Sequence, residues 1–206
     1  RFCWLRDATF TLLALMDGGY YDEARSWRDW LVRAAAGSPD QLQIMYGLAG
    51  ERDLPERTLP WLPGFHGSIP VRIGNAAADQ LQLDVYGEVA DALYAARKSS
   101  LDGDPTAWRL ECSLTSHLEK VWSLPDEGLW EVRGARRRFT HSKVMAWVAF
   151  DRAVKTIETF GLAGPLERWR VLRDHIHAEI CRLAFNEDLG AFVAHPDESV
   201  SKVPLL

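Results

Sequence analysis

The sequence predicts an all-α chain organised as an array of helical hairpins, and three observations carry that prediction. Apolar residues recur at helical spacing along most of the 206 residues, persuasive strand alternation is absent, and short and long connections alternate. The connections between helical segments one and two, three and four, and five and six are GGYY, SSLDGD and GLAG. Links this short join antiparallel neighbours.

The first helix is expected over residues 7–16 (DATFTLLALM), apolar nearly all round and stopped by Asp17-Gly18-Gly19. The second covers residues 22–36, with Ala24, Trp27, Leu31 and Ala34 on one face and charges opposite. A third runs over 76–98, apolar at Leu81, Val85, Val89 and Leu93. Asp104-Pro105 reads as a cap and first-turn proline for a fourth that reaches Trp122. The fifth spans 143–160, and Gly164-Pro165 opens a sixth that reaches Phe185. Residues 41–47 and 190–194 have the character of short strand pieces.

Odd-numbered helices therefore begin near residues 7, 76 and 143, a spacing of roughly 70 residues. Stacked hairpins with that spacing point all odd helices the same way. Their N-termini then share one end of the molecule with the two long connections, 37–75 and 123–142. Long irregular loops in a compact fold are usually functional. The expected rim gathers Trp4, Arg6, Asp7, Trp61, Asn75, Trp130, Glu131, His141 and Lys143.

Composition removes several classes of function. A net charge of −5, with RGARRR at 133–138 as the one basic cluster, gives no nucleic-acid footprint. No apolar run approaches a membrane span. Cys3, Cys112 and Cys181 are scattered, without metal-ligand spacing, and suit a reducing compartment; no leader is visible, so a cytoplasmic location is expected. His175 and His177 lie on different faces of a helix, so neither a metal nor another cofactor is expected. GxSxG, HExxH, P-loop and Rossmann patterns are absent.

The rim chemistry is that of a hydroxyl binder. Arg6 and Asp7 supply fixed donors and acceptors, although Asp7 is also suited to capping the first helix. Nine tryptophans are many for this length and suggest either a heavy aromatic core or a pocket lined with flat rings, whose indole faces can stack on a sugar. Trp130 immediately before Glu131 disfavours the carboxylate, the condition for a glutamic acid that donates its proton near neutral pH.

CWLRDATFTLLAL, QIMYGLAGERDLPERTLPWLPG, RIGNAAADQLQLDVYGEV and DEGLWEVRG followed by FTHSKVMAWVAFDRAV together resemble glycoside hydrolase family 15, in its bacterial glucoamylase-like and trehalase-like branch. The likeness runs in order from Arg1 to about Phe185, and residues 191–206 match poorly. It implies an (α/α)6 barrel, a toroid of six hairpins with the pocket at the N-terminal ends of the inner helices. These 206 residues would be about half of it, a partial catalytic domain lacking the C-terminal half and the upstream sandwich domain of bacterial members.

The resemblance further implies hydrolysis of terminal α-linked glucose with inversion. It assigns glucose hydroxyls to Arg6 and Asp7 beside Trp4, and the general acid to Glu131 after Leu129 and Trp130. Fungal members have two successive glutamates there, whereas this chain has Glu131 followed by Val132. His141 and Lys143 are candidate substrate contacts. An inverting enzyme also needs a carboxylate that activates water, ~6.5–9.5 Å from the acid. In the family it comes from the C-terminal half, so the isolated segment is expected to be weak or inactive and to self-associate through open barrel edges. The expected partner is an α-glucoside or oligosaccharide, whether trehalose, maltodextrin or isomalto-linked. The rival readings are a non-catalytic helical-repeat binding module and a toroid with other chemistry.

Overall fold

The computed structural model describes residues 2–99, 101, 104–130 and 134–196. Among these are three helix pairs: α1 (Leu5–Asp17) with α2 (Tyr21–Ala35), α3 (Asp84–Lys98) with α4 (Pro105–Val121), and α5 (Thr140–Phe160) with α6 (Leu166–Leu183). The all-α hairpin array is thus the observed architecture. α3 packs against both α1 and α5, which makes it the central helix of the described residues.

The order of packing follows from composition. α3 buries residues on every side, from Val85, Tyr86, Val89 and Leu93 to Ala90, Ala92 and Ala96. α1 buries Leu5, Ala8, Leu12 and Met16, one stripe at helical spacing. α6 buries Trp169, Ile176 and Ile180 and leaves its charged face outside. Trp169 is fully buried, meets Trp108 of α4 edge-to-face at 6.4 Å, and donates its indole N–H to Glu119. One continuous core joins these contacts, and a smaller cluster of Leu12, Met16, Ala24, Ala92, Ala96 and Leu101 fills the space between α1, α2 and the far end of α3.

Ends are set by local chemistry. Asp104 caps α4 by accepting from the Thr106 amide at 2.7 Å, with Pro105 in the first turn. Gly161 closes α5 at φ 67°, in the left-handed region that glycine enters without strain. Three short antiparallel pairs tie the connections: β1 (Phe2–Trp4) with β2 (Met45–Gly47), β3 (Arg57–Thr58) with β4 (Arg72–Ile73), and β5 (Phe185–Asn186) with β6 (Ala191–Phe192).

Two helix starts differ from the sequence expectation. Residues 76–79 form a 3-10 turn, capped by the Asn75 carboxamide oxygen, and α3 begins only at Asp84. The residues between stay outside the helix because side chains of a distant loop take the amides of two of them. Leu81 N–H donates to Glu127 at 2.7 Å and Leu83 N–H to Asp126 at 2.9 Å. α5 begins at Thr140, three residues early, where the Thr140 hydroxyl and amide donate to the carbonyls of Val193 and Ala194.

Candidate functional site

The start of α1 meets the start of α3 and the loop before α5 through one side chain. Arg6 donates from Nε to Asp84 Oδ2 at 2.8 Å, and its Nη2 lies 2.6 Å from the same oxygen. Nη2 also donates to Gln82 Oε1 at 2.7 Å, and Nη1 reaches the Leu129 carbonyl at 3.4 Å. The Asp84 side chain is fully buried, whereas Arg6 retains 18% exposure. A guanidinium at the surface is therefore seated on a carboxylate beneath it, a charge-assisted pair of the strong kind.

Behind Asp84 the cluster continues inward. Glu88, one turn further along α3, is buried and lies within reach of the Thr9 hydroxyl of α1 at 3.4 Å. Burial, and then repulsion from Asp84, push its carboxyl up to about 7. His141, in the first turn of α5, is held below its ordinary value by burial and by the charge of Arg6, against the pull of Asp84. Asp84 Oδ1 and His141 Nδ1 are buried without a hydrogen-bond partner among the described residues. One ligand atom each from Asp84, Glu88 and His141 lies within 4.8 Å of the others, so this trio is the group whose chemistry could hold a cation. Such a cation would share Asp84 with a guanidinium already bound to it.

A second pair of acids fixes the loop that carries Leu129. Asp126 is fully buried; its Oδ2 accepts from Leu83 N–H and from Ser142 Oγ at 2.7 Å, and its backbone pairs with Arg137 in both directions. Burial raises its carboxyl to about 6 against those hydrogen bonds. Glu127 accepts from Leu81 N–H and from Arg136 Nε at 2.9 Å. Gly128 follows at φ 65°, turning the chain towards Leu129 and Trp130.

The rim residues expected from sequence divide under these contacts. Arg6, His141 and the backbone of Leu129 come together around the N-terminal ends of α1, α3 and α5. Asp7 is exposed in the first turn of α1 and does not cap it; Trp4 occupies the cap position and no side chain closes it. The Trp4 indole is half-buried against the core, whereas Trp130 and Trp61 are exposed. Asn75 is the cap already described.

Lys143 does not join the group. It is buried, pairs with Glu179 of α6 and lies 4.9 Å from the centre of the Trp122 ring. Two residues beyond His141 on one helix, it points to nearly the opposite side. Glu131, the expected general acid, lies outside the described residues, as do Val132 and Arg133. The structure adds Asp84, Gln82, Glu88, Asp126 and Ser142. The sequence signal for the first three was present in LQLDVYGE, two acids four apart on a helix otherwise apolar.

Comparison with known proteins gives the family of the chain. Residues 1–202 match the family described as Glycosyl hydrolases family 15. The chain is similar to a trehalase of Thermoplasma volcanium, 32% identical over 100% of this chain and 34% of that protein. It is similar to a trehalase of Mycobacterium tuberculosis at 38% identity over 87% of this chain and 27% of that protein. Trehalase 1 of Sulfolobus acidocaldarius is 39% identical over 75% of this chain and 28% of its own length. The chain thus spans about a third of the length of the curated relatives it matches. No solved structure matches it.

Proposed function

The chain belongs to glycosyl hydrolases family 15, and on that premise we propose that it is part of the catalytic domain of an α-glucosidic hydrolase whose substrate is trehalose. The three hairpins are half of an (α/α)6 barrel in this reading. Arg6 and Asp7 bind hydroxyls of the departing glucose, with Trp4, Leu129, Trp130 and His141 around them. Glu131 protonates the glycosidic oxygen as general acid, and water attacks the anomeric carbon from the opposite face, with inversion. The carboxylate that activates this water is supplied by sequence C-terminal to these residues.

One observation carries the reading: the Arg6 guanidinium, from the first turn of α1, reaches the carbonyl of Leu129, two residues before Glu131. Arg6 and the Leu129 carbonyl, 123 positions apart, thereby meet, which supports a reading in which a sugar is gripped by Arg6 close to the segment that carries the general acid. The trehalase relatives favour trehalose over maltodextrin or isomalto-linked glucosides.

The test uses protein expressed from its complete gene, a panel of trehalose, maltose and isomaltose, and NMR of the first-formed glucose anomer. Trehalose turnover releasing β-glucose from one half of each molecule is expected. Glu131→Gln should lower kcat by about 10²–10⁴-fold, the range of a lost general acid. Near-wild-type turnover by that variant removes the assignment, and turnover of other glucosides alone removes the substrate.

A further inference from the structure

We infer that Asp84, assisted by Gln82, is the positioning residue that aims Arg6, and that it holds the guanidinium so that Nη1 can offer an N–H to a sugar hydroxyl. The inference rests on the α-glucosidic reading and assigns to that site two residues that touch no substrate.

The donor inventory carries it. A guanidinium has five N–H groups in a fixed planar fork. Nε–H goes to Asp84 Oδ2, Nη2 donates to Gln82 Oε1, and Nη2 lies 2.6 Å from the same Asp84 oxygen in the ion pair. One Nη1 hydrogen goes to the Leu129 carbonyl. The second Nη1 N–H has no partner among the described residues. Rotation about the Arg6 side chain would break several charge-assisted bonds together, so this donor keeps one direction.

The anchors are themselves anchored. Asp84 opens the central helix α3, beside Leu83, whose amide is held by Asp126. Gln82 is 1% exposed and donates its own Nε2 to Gln80 Oε1 at 3.0 Å, which fixes its carboxamide with the oxygen towards Arg6. Neither side chain is open to solvent, so neither is suited to meet a ligand directly. Charge adds a second reason. A neutral sugar gains from directed hydrogen bonds and nothing from an unbalanced cation, and the Arg6–Asp84 pair is neutral as a unit.

A double-mutant cycle on the protein expressed from its complete gene separates positioning from general support of the fold. Trehalose kinetics are measured for wild type, Arg6→Ala, Asp84→Asn and the double variant, with thermal melts to verify folding. Asp84→Asn keeps the shape and removes the charge. It should lower kcat/KM by about 100-fold, the scale of a misdirected binding group. In the Arg6→Ala background the same change should cost less than about threefold, because the group it aims is gone.

If the penalty persists in full without Arg6, Asp84 acts through the fold and the inference falls. It falls equally if Asp84→Asn matches wild type while Arg6→Ala is crippled, an outcome that leaves the α-glucosidic reading standing. Arg6→Ala turning over trehalose like wild type would instead overturn that reading and the inference with it. Should Asp84→Asn not fold, Gln82→Met enters the same cycle with an expected loss of about tenfold and the same pattern of non-additivity.

Discussion

Gly87 sits where α3 crosses α5, and replacing it with alanine tests the packing that holds the candidate site together. A Cβ built there would lie 2.1 Å from the Met145 carbonyl oxygen and 2.7 Å from its carbon. Ordinary contact begins at 3.4 Å, so the helices would have to part by about 1 Å at a backbone that no rotamer change can move aside. Overpacking of this kind costs about 1–3 kcal/mol, while alanine recovers about 1 kcal/mol of helix propensity relative to glycine. The net loss is then up to about 2 kcal/mol, a fall in Tm of up to about 8 °C for a chain of this size. Gly87 is one turn after Asp84 and directly precedes Glu88, so the same displacement draws α3 away from His141 and loosens the seat of Arg6. Gly87→Ala should therefore lower Tm, read by differential scanning calorimetry, and, on the proposed function, the affinity for trehalose, read by titration calorimetry. A variant that melts above the wild-type temperature would refute the close approach of the two helices.

Three buried acids give the chain a pH signature. Glu88 and Glu111 are raised to about 7 and Asp126 to about 6, each chiefly by burial. The folded state binds these protons more tightly than the unfolded chain, so their contribution is fully present below the ordinary carboxyl range and is lost as pH rises through about 6 to 7. Glu111→Gln should flatten the decline of Tm between pH 5 and 8, and an unchanged slope would count against it. Trp169→Ala removes a fully buried indole between α4 and α6 and should cost about 3–5 kcal/mol in chemical denaturation, with Trp169→Phe closer to wild type. A loss below 1 kcal/mol for the alanine variant would mean that Trp169 is not the keystone of that hairpin pair.

The hairpin plan was legible because it is written in link lengths, which survive without tertiary information. GGYY and GLAG leave the chain no option but to double back. The start of α3 was illegible for the opposite reason. Nothing local in AAADQLQL forbids a helix; the amides of Leu81 and Leu83 are claimed by Glu127 and Asp126, more than forty residues away. The site divides along the same line. Arg6 stood out because it crowds a helix start, and the topology brought it to the expected rim. Asp84 did not stand out, since the sequence reading placed it inside a helix over 76–98, where an acid usually answers to solvent. Its partner lies 78 residues earlier in the chain. His141 and Lys143 looked equivalent in THSK, and only the rotation of α5 sends one towards Asp84 and the other to Glu179.

The convergence of three helix starts has an electrostatic consequence that accounts for the acids found there. Each N-terminus carries unsatisfied N–H groups and the positive end of its helix, equivalent to about half a charge. Bringing the starts of α1, α3 and α5 together with Arg6 among them concentrates positive potential at one end of the fold. Asp7 in the first turn of α1, Asp84 at the start of α3, and Asp126 with a hydroxyl of the first turn of α5 as its donor oppose it. Two of these carboxylates are buried and each engages the protein through its Oδ2, which leaves Asp7 as the exposed acid of that set. The result is an end of the molecule rich in oriented donors and acceptors but near balance in charge. That is what recognition of an uncharged polyol demands: a phosphate site would leave the positive ends of the helices unopposed. Asp7→Asn should therefore weaken trehalose binding while leaving the fold intact, and it should create affinity for inorganic phosphate where the wild type has none. Phosphate binding of equal strength to both proteins, measured by ³¹P NMR, would show that the acids do not set the potential of this end.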